Sequence, residues 1–325
     1  MSDTCTVESQ PTLSIVIVTW NGKKYALECL NSLRDPGMSL STEIIVVDNG
    51  STDGTPEAIH ELFPTVKVIE NGSNLGFAKA NNVGVKLAKG KYICLINSDV
   101  VVPPCTLKNM FAYMEQNPTI GVLGPKMISP EGGVGRSVMW LPTVWNTLCC
   151  AFGLHVVFRN SRLLGGFEAS GYSYDRTEDV EVLTGWFWMV RRTALEQVGP
   201  LDEQFFMYGE DIDWCYRFRQ AGWRVVFYCD AQALHYGAAS SGNQPVRFHI
   251  EMRRANLQCF RKHHGWLSCL GFVLATWLHE LVRIGGYGTA FLFDRKHKEE
   301  LVFKIEKSLA CLGWLAGLKS SPAGR

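Results

Sequence analysis

The N-terminal part of the chain alternates between short apolar runs and segments with helical spacing, and this alternation restricts the fold more than any other feature. The apolar runs cover residues 13–19, 43–48, 66–69 and 91–96, and the helical spacing covers residues 24–33, 55–63 and 77–88. Short, continuous β-branched runs are typical of strands buried on both faces. Strands that alternate with helices predict a twisted, largely parallel sheet covered by helices, which is an α/β fold.

Polar side chains follow each of the four predicted strands at its carboxyl end. They lie at residues 19–21, 48–50, 71–74 and 97–99. In open α/β sheets, ligands bind outside the carboxyl ends of the strands. One polar loop is ordinary turn chemistry, whereas four loops at one edge predict a binding site.

The sequence excludes two nucleotide-binding classes and one class of partner. Residues 19–24 read Thr-Trp-Asn-Gly-Lys-Lys, which lacks the Gly-x-Gly-x-x-Gly of a dinucleotide-binding Rossmann domain. The Gly-x-x-x-x-Gly-Lys-[Ser/Thr] loop of P-loop NTPases is absent as well. Because 32 Lys+Arg balance 31 Asp+Glu, no nucleic-acid partner is expected.

Cysteine spacing and the N-terminal composition indicate a cytoplasmic location. The 11 cysteines include no Cys-x-x-Cys pair, so neither a disulfide framework nor a structural zinc site is predicted. Residues 1–11 lack the basic and apolar regions of a signal peptide. No uninterrupted apolar run reaches the roughly 20 residues that a membrane-spanning helix needs.

Three carboxylates stand among aromatic residues in the segment 205–217. Glu210, Asp211 and Asp213 follow Phe205, Phe206 and Tyr208 and precede or flank Trp214. Carboxylates held against apolar rings are partly desolvated, which raises their pKa and makes them better bases. The alternative is a helix N-terminus, where acidic residues complement the helix dipole. Both interpretations stay open at this point.

Six stretches, in their order along the chain, resemble family 2 glycosyltransferases of the GT-A fold. They are residues 14–22, 46–54, 74–82, 95–100, 183–192 and 199–214. The resemblance implies a Rossmann-like, mostly parallel sheet flanked by helices, with a catalytic domain at residues 12–245 and a helical C-terminal region at residues 246–325. Residues 124–133 and 164–167 are similar to the bacterial rhamnosyltransferase branch of the family.

This resemblance implies an inverting, metal-dependent hexosyltransferase. The expected reaction moves rhamnose from dTDP-rhamnose onto a saccharide or lipid-linked saccharide during synthesis of cell-wall or surface polysaccharide. One alternative is the same chemistry with a UDP-sugar donor that carries galactofuranose or a hexosamine. A second alternative is a non-catalytic sugar-nucleotide or glycan-binding module, which loss of Asp99 or Asp211 would favour. Both residues are present.

The resemblance assigns donor-binding roles to the loops at the strand ends. Asp48 matches the family carboxylate that accepts a hydrogen bond from the pyrimidine of the nucleotide. An Asx turn with Gly50 is the alternative for Asp48, and relief of a tight backbone is the alternative for Gly76. The other residues assigned to the donor are Thr19, Asn21, Asn74, Gly76, Asn81, Asn97 and Asp99.

A divalent cation, Mn²⁺ or Mg²⁺, is the expected cofactor. Residues 97–99 read Asn-Ser-Asp and occupy the position of the family's Asp-x-Asp motif. Asp99 is therefore the main expected metal ligand, and Asn97 is a neutral second contact. His235 matches a family histidine that completes the metal site, and an imidazole ligand suits Mn²⁺ better than Mg²⁺.

The resemblance places the acceptor and the catalytic base in the second half of the chain. Asp211 matches the general base, Glu210 is expected to orient the acceptor, and Asp213 is expected to have a structural role at a helix start. Trp186 is expected to contact the acceptor sugar, on the same strand face as Trp188. Arg191 and Arg192 are expected to contact a phosphate or to form a solvated pair.

The C-terminal region combines a basic helix at residues 247–264 with an apolar segment at residues 265–278, and the glycine-rich residues 284–288 are expected to interrupt it. Basic residues beside tryptophan-bearing apolar helices fit a membrane interface. The expectation is peripheral contact with the inner face of the plasma membrane; packing against protein is the alternative. The sequence leaves the donor sugar, the acceptor, the linkage and any homo-oligomer open.

Overall fold

A computed structural model describes residues 10–34, 40–237, 245–294 and 296–317. Its first half contains β1 (Leu13–Thr19), α1 (Lys23–Ser32), β2 (Thr42–Asp48), α2 (Thr55–Leu62), β3 (Lys67–Glu70), α3 (Phe77–Leu87) and β4 (Tyr92–Asn97). Each element predicted for this half is present, with boundaries within one residue of those expected. Most of residues 1–11, which bear on the question of a signal peptide, lie outside the described residues.

In the part of the chain that the structure describes, the second half adds seven strands, of which β6 and β11 are the longest of the sheet, and most of the helices. In chain order they are β5 (Val100–Val101), α4 (Thr106–Gln116), β6 (Ile120–Ile128), β7 (Val138–Met139), α5 (Val144–Ala151), α6 (Leu154–Val157), β8 (Glu178–Asp179), β9 (Val182–Leu183), β10 (Phe187–Arg191), α7 (Arg192–Val198), α8 (Glu210–Gln220), β11 (Arg224–His235), α9 (Pro245–His263), α10 (Trp266–Phe293) and α11 (Lys298–Leu315).

A mixed sheet forms the centre of the molecule. Its strand order is β3-β2-β1-β4-β10-β6-β11-β5, and β8 pairs with β11. The strands β1 to β4 are parallel, whereas β10 runs antiparallel between β4 and β6. Alternate residues of β1 pack on opposite faces: Val16 belongs to one buried cluster, and Ile15 and Ile17 belong to the other. The apolar β-branched runs are therefore explained by burial on both faces.

Arg191 and Arg192 have structural roles, which corrects the expectation of a phosphate contact or a solvated pair. The Arg191 guanidinium donates to the carbonyls of Met114 and Asn117 at the end of α4. The Arg192 guanidinium donates to the carbonyls of Ala88 and Gly90 after α3. Both side chains satisfy the unpaired carbonyl groups at a helix C-terminus.

The expected interruption at residues 284–288 is wrong, because α10 continues through these residues as one helix of 28 residues. An interior glycine weakens a helix by roughly 1 kcal/mol relative to alanine, and packing against other helices can offset that loss. Among the described residues, α10 is the one helix whose length and composition would allow it to cross a membrane.

Candidate active site

The carboxyl ends of β1, β2 and β4 open into a cavity of about 500 Å³. The other walls come from the turn before β10, the start of α8, the end of β11 and the helix α9. The predicted site residues that line the cavity are Thr19, Asn21, Asn74, Gly76, Asn97, Asp99, Trp186, Glu210, Asp211 and His235. Most of the residues selected from the sequence therefore lie around one cavity.

Asn21 joins the loops that follow β1 and β2. Its backbone has a φ of 49°, a left-handed conformation that asparagine tolerates better than most residues. The Asn21 side-chain oxygen accepts a hydrogen bond from the backbone N–H of Thr52 at 2.8 Å. The Asn21 N–H donates to the hydroxyl of Ser51 at 2.9 Å. Asn21 thus holds two walls of the cavity in a fixed relation.

Asp48 forms the Asx turn that was the alternative interpretation of this residue. Only one of its two carboxylate oxygens takes part in the turn. Its Oδ2 accepts hydrogen bonds from the backbone N–H groups of Gly50 and Ser51 at 3.0 and 2.9 Å. Its Oδ1 is buried and has no hydrogen-bond partner among the described residues. The Thr19 hydroxyl, beside it in the β1–β2 register, is likewise buried and unpartnered there. Such groups are rare in folded proteins and often mark a ligand position.

Asn49 organises the next two loops, although the sequence did not single it out. Its side-chain N–H₂ donates to the Asn74 oxygen at 3.0 Å, and its oxygen accepts from the Leu75 N–H at 3.0 Å. A Cβ atom at Gly76 would lie 2.5 Å from the Phe206 carbonyl oxygen, so the tight-backbone interpretation of Gly76 is confirmed. The position of Asn49 directly after Asp48, at the end of a strand, was the sequence feature that could have indicated this role.

Asn81 lies inside α3 and does not line the cavity itself, although it contacts the lining residue Phe77. Its side chain is 2% exposed and donates to the Phe77 carbonyl oxygen at 2.9 Å. The structure therefore places Asn81 in support of the helix that follows Gly76 and gives it no wall position in the cavity.

Asp99 and His235 form a pair at the edge of the cavity. Antiparallel pairing of β5 with β11 sets His235 opposite Val100, so the residue before Val100 reaches the imidazole. His235 Nε2 lies 3.1 Å from Asp99 Oδ1. The imidazole also stacks on the Trp186 indole, with ring centroids 5.4 Å apart. One carboxylate oxygen and one imidazole nitrogen at this distance match the donor set of a Mn²⁺ site.

Trp186 and Trp188 lie on opposite faces of the sheet, which corrects the prediction that they share a face. Trp186 precedes β10 in a turn and packs with Phe187 and Met189 in one buried cluster. Trp188 lies within β10 and packs in the other cluster, where its indole contacts Trp214. The alternation of side chains applies only within a strand, and Trp186 lies outside it.

A left-handed turn delivers Glu210 and Asp211 to the cavity. Tyr208 and Gly209 have φ values of 66° and 81°, and α8 begins at Glu210. Burial raises the pKa of Asp211 to about 6, although backbone N–H groups, among them that of Ile212, favour its ionised form. Burial and the neighbouring Asp211 charge raise the pKa of Glu210 well above its ordinary value. Glu210 therefore holds its proton more firmly than a solvated glutamate does.

Asp213, one turn further, has a different environment. Its side chain is fully buried and lies 2.8 Å from Arg217, 2.7 Å from Lys262 and 2.6 Å from His263. The predicted structural role of Asp213 agrees with these contacts, which connect α8 to the end of α9.

The helix α9 contributes Met252 and Asn256 to the cavity wall. The sequence placed these residues in a region outside the catalytic domain and did not assign them to the site. A Cβ atom at Gly209 would lie 2.8 Å from the Ala255 Cβ, so α9 packs directly on the turn that carries Asp211. No local motif signals this contact, because it depends on the long-range packing of α9.

Comparison with protein-family models matches residues 14–199 to "Glycosyl transferase family 2", which is more than half of the chain. The chain belongs to glycosyl transferase family 2. The family assignment makes this protein a glycosyltransferase, as predicted.

Two sequence relatives narrow the assignment within family 2. N-acetylglucosaminyl-diphospho-decaprenol L-rhamnosyltransferase of Mycobacterium tuberculosis is 31% identical over 280 residues, covering 78% of this chain and 86% of the relative. Low-salt glycan biosynthesis hexosyltransferase Agl10 of Haloferax volcanii is 25% identical over 252 residues, covering 75% and 72%. The chain therefore resembles the rhamnosyltransferase-like branch and is a glycosyltransferase of glycan biosynthesis.

A solved structure supports the fold of this family 2 chain. The mannosyltransferase PcManGT of Pyrobaculum calidifontis, in complex with GDP-Man and Mn²⁺, superposes with a TM-score of 0.58 at 16% identity. The superposition covers 96% of this chain and 89% of that structure. The expected GT-A fold, with helices following the catalytic sheet, is confirmed.

The Asp213 contacts predict a large effect on stability. We expect Asp213→Asn to lower the free energy of unfolding by about 3–5 kcal/mol, because it removes the buried carboxylate that Arg217, Lys262 and His263 all contact. The measurement is urea-induced unfolding. Asp179→Asn is the matched control, since Asp179 pairs with Arg224 at the surface and such pairs contribute about 0–1 kcal/mol. Equal losses in the two variants would contradict the structural role of Asp213.

Proposed function

We propose that this family 2 enzyme transfers a sugar with inversion, using a divalent cation, from a nucleotide donor to a lipid-linked saccharide. The proposed donor is dTDP-rhamnose, and the transferred sugar is rhamnose. The mycobacterial L-rhamnosyltransferase that is 31% identical supports this choice. The observation that supports the reaction is one cavity lined both by the Asp99–His235 pair and by the desolvated carboxyl of Asp211. The chemistry needs a site for the leaving diphosphate and a base for the acceptor.

The nucleotide end of the proposed donor site lies at the β1 and β2 carboxyl ends. A pyrimidine such as thymine carries an imide N–H that needs an acceptor, and Asp48 Oδ1 is a buried acceptor without a partner among the described residues. The Thr19 hydroxyl lies beside it and offers a second polar contact. Asn21, Asn74 and Gly76 shape the loops around this position.

The diphosphate end of the donor site is proposed at Asp99 and His235, with Asn97 as a neutral neighbour. These residues would hold a divalent cation by oxygen and nitrogen ligands, a set compatible with Mn²⁺ or Mg²⁺ and better suited to Mn²⁺. When bound, the cation supplies charge neutralisation for the departing diphosphate. Asp99 and His235 hold their relative orientation through the β5–β11 pairing and the Trp186 stack.

Asp211 is proposed as the general base that takes the proton of the attacking acceptor hydroxyl. Inversion requires the acceptor to attack from the side opposite the leaving nucleotide, so the base belongs on the acceptor side. Glu210 adjoins Asp211 and also lines the cavity, and its raised pKa favours the carboxyl form, which can donate a hydrogen bond to the acceptor. Trp186 is proposed to contact the acceptor sugar with its indole face.

The proposed acceptor also suggests where the enzyme works. The name of the mycobacterial relative describes an acceptor on decaprenol diphosphate, a lipid. By analogy, we propose a cytoplasmic enzyme bound peripherally at the inner face of the plasma membrane and acting in cell-wall or surface polysaccharide synthesis. The catalytic domain at residues 12–245 and the helical region at residues 246–325 remain the proposed division, with α9 shared between them.

A screen of nucleotide sugars tests the proposed reaction. We expect purified enzyme to transfer rhamnose from dTDP-rhamnose to a polyprenyl-diphosphate saccharide only when Mn²⁺ or Mg²⁺ is present. Asp99→Ala should abolish the metal-dependent turnover. Turnover of UDP-galactofuranose or a UDP-hexosamine instead would show that the proposed donor is wrong. Tight nucleotide binding without any turnover would favour a non-catalytic module.

The Asp211→Asn variant tests the role of Asp211 as the general base. Because general-base catalysis contributes about 100-fold or more, kcat should fall by at least that factor while nucleotide binding is retained. Glu210→Gln is the matched control in the adjacent position. The glutamine side chain keeps the size of Glu210 and can still donate a hydrogen bond to the acceptor, so this variant should lower kcat far less. Near-normal turnover in Asp211→Asn would remove Asp211 from the base role.

The raised pKa of Asp211 predicts the pH dependence of the reaction. A base is active when ionised, so kcat/KM should be constant above its pKa and fall about tenfold per pH unit below it. With the pKa raised to about 6 by burial, the acid limb should bend near pH 6, well above the ordinary aspartate value of about 3.9. A bend near pH 4 in the measured profile would contradict the raised pKa of Asp211.

A further inference from the structure

The helix α10 exposes a large apolar surface. Its exposed side carries Trp266, Leu267, Leu270, Leu274, Leu281, Val282, Leu292 and Phe293, here called the α10 apolar face. The two ends of this face are the most open, with Trp266 73% and Phe293 82% exposed. We propose that the α10 apolar face docks on the surface of a phospholipid bilayer. The inference rests on the proposed lipid-linked acceptor for its biological setting and on the following contacts for its location.

The spacing of the exposed residues defines one continuous stripe. Leu267, Leu270, Leu274 and Leu281 are three, four and seven residues apart, which places them on the same side of a helix. The charged residues of α10 are turned away from solvent: the side chains of Glu280 and Arg283 are 0% and 23% exposed. A soluble monomer rarely exposes so long an apolar surface without using it for binding.

The inward side of α10 buries its charged and polar groups together with Phe272 and Ala275. Glu280 is fully buried, and its Oε1 lies 3.0 Å from His249 Nε2 and 3.3 Å from an Arg253 guanidinium nitrogen, both on α9. Thr276 and His279 are buried on the same side. A surface helix in water normally turns its apolar face inward and its polar face outward. In α10 the charged groups face inward and an apolar surface faces outward, which fits a helix whose outer side faces lipid.

The packing of α10 favours lying on the bilayer over crossing it. A Cβ atom on Gly271 would lie 3.2 Å from the Val144 side chain, so α10 packs closely along α5, which belongs to the body of the enzyme. Glu280 occupies the middle of α10, where a spanning helix would place its charge at the centre of the hydrocarbon. A helix that lies at the membrane interface keeps the packing of Gly271 on Val144 and the buried position of Glu280. Only the α10 apolar face then enters the lipid.

The charge at the N-terminal end of α10 suits anionic headgroups. The last turn of α9 carries Arg261, Lys262 and His263, and Trp266 begins the next helix. Arg261 is exposed to solvent, whereas Lys262 and His263 also contact Asp213. Basic residues beside an interfacial tryptophan are typical of segments that bind anionic membrane surfaces. The charge of this end complements an anionic headgroup, and a phospholipid surface is therefore the proposed occupant.

The same helix pair connects the docking face to the acceptor side of the cavity. Met252 and Asn256 on α9 line the cavity, and α9 leads through His264 and Gly265 into α10. A bilayer under α10 would therefore lie next to the element that forms one cavity wall. An acceptor held in that bilayer by its lipid could reach Asp211 without leaving the membrane.

Vesicle co-sedimentation of the full chain tests the proposal. The probes are vesicles of phosphatidylcholine with and without phosphatidylglycerol. The wild-type protein should bind both, and more strongly when phosphatidylglycerol is present. Leu274→Glu should lower the partition coefficient about tenfold or more, because it puts a carboxylate into the docking face. Leu62→Glu on α2 is the matched control, since Leu62 is 51% exposed and Leu274 is 59% exposed; it should bind like the wild type.

Three outcomes would overturn the proposal. They are no vesicle binding by the wild type, equal loss in the two variants, or a lipid-free dimer that Leu274→Glu dissociates in light scattering. Transfer to a water-soluble acceptor analogue, measured without vesicles, separates this result from the reaction itself. Transfer without vesicle binding would overturn the docking surface alone, and vesicle binding without transfer would overturn only the proposed reaction.

Discussion

The parallel pairing of β1 with β2 and β4 is the constraint on which the rest of the structure depends. In its register, Thr19 lies opposite Asp48 and Val18 lies opposite Asn97, so three loops begin at the same level of the sheet. A shift of one residue would exchange the two buried faces of β1 and turn its polar end away from the cavity. Burial of Val16 on one face and of Ile15 and Ile17 on the other makes that shift costly. The position of the site is therefore a consequence of core packing.

At the start of α8, neighbouring acidic residues have different roles. Asp213 stabilises the fold, and Asp211 is the proposed base. Asp213 contacts Arg217, Lys262 and His263, whereas the buried Glu210 and the half-buried Asp211 have no ion-pair partner among the described residues. A raised carboxyl pKa means that the folded protein binds the proton more tightly than the unfolded chain. The Asp211 contribution to stability is thus present below about pH 4 and is lost as the pH rises through about 6. The contacts of Asp213 with α9 offset part of that loss, and so the reactive turn depends on its structural neighbour.

The elements that the sequence predicted well are those determined by local periodicity. The strands and helices from β1 to β4 were predicted within one residue, and so were the polar strand ends that meet at the cavity. Errors arose where a distant contact decides the outcome. Trp186 leaves the strand alternation because a turn precedes β10, and Arg191 is directed to carbonyl groups that belong to α4. Met252 and Asn256 were missed because nothing in their local sequence indicates that α9 returns to the site.

The distribution of polar and apolar residues on α10 affects both the packing of the C-terminal helices and the acceptor wall of the cavity. A helix with Glu280 inside and leucines outside is stable only if both sides find partners, and the inner partners are His249 and Arg253 of α9. Removing those polar groups from water is unfavourable unless they are paired. Glu280 is therefore buried between α9 and α10, and the apolar side of α10 stays available for the proposed contact with lipid. Since α9 also packs on the turn that carries Asp211, a bilayer that holds α10 would also hold the acceptor wall of the cavity in place. On this view, the membrane surface completes the packing of the C-terminal helices and delivers the acceptor to the same side of the enzyme.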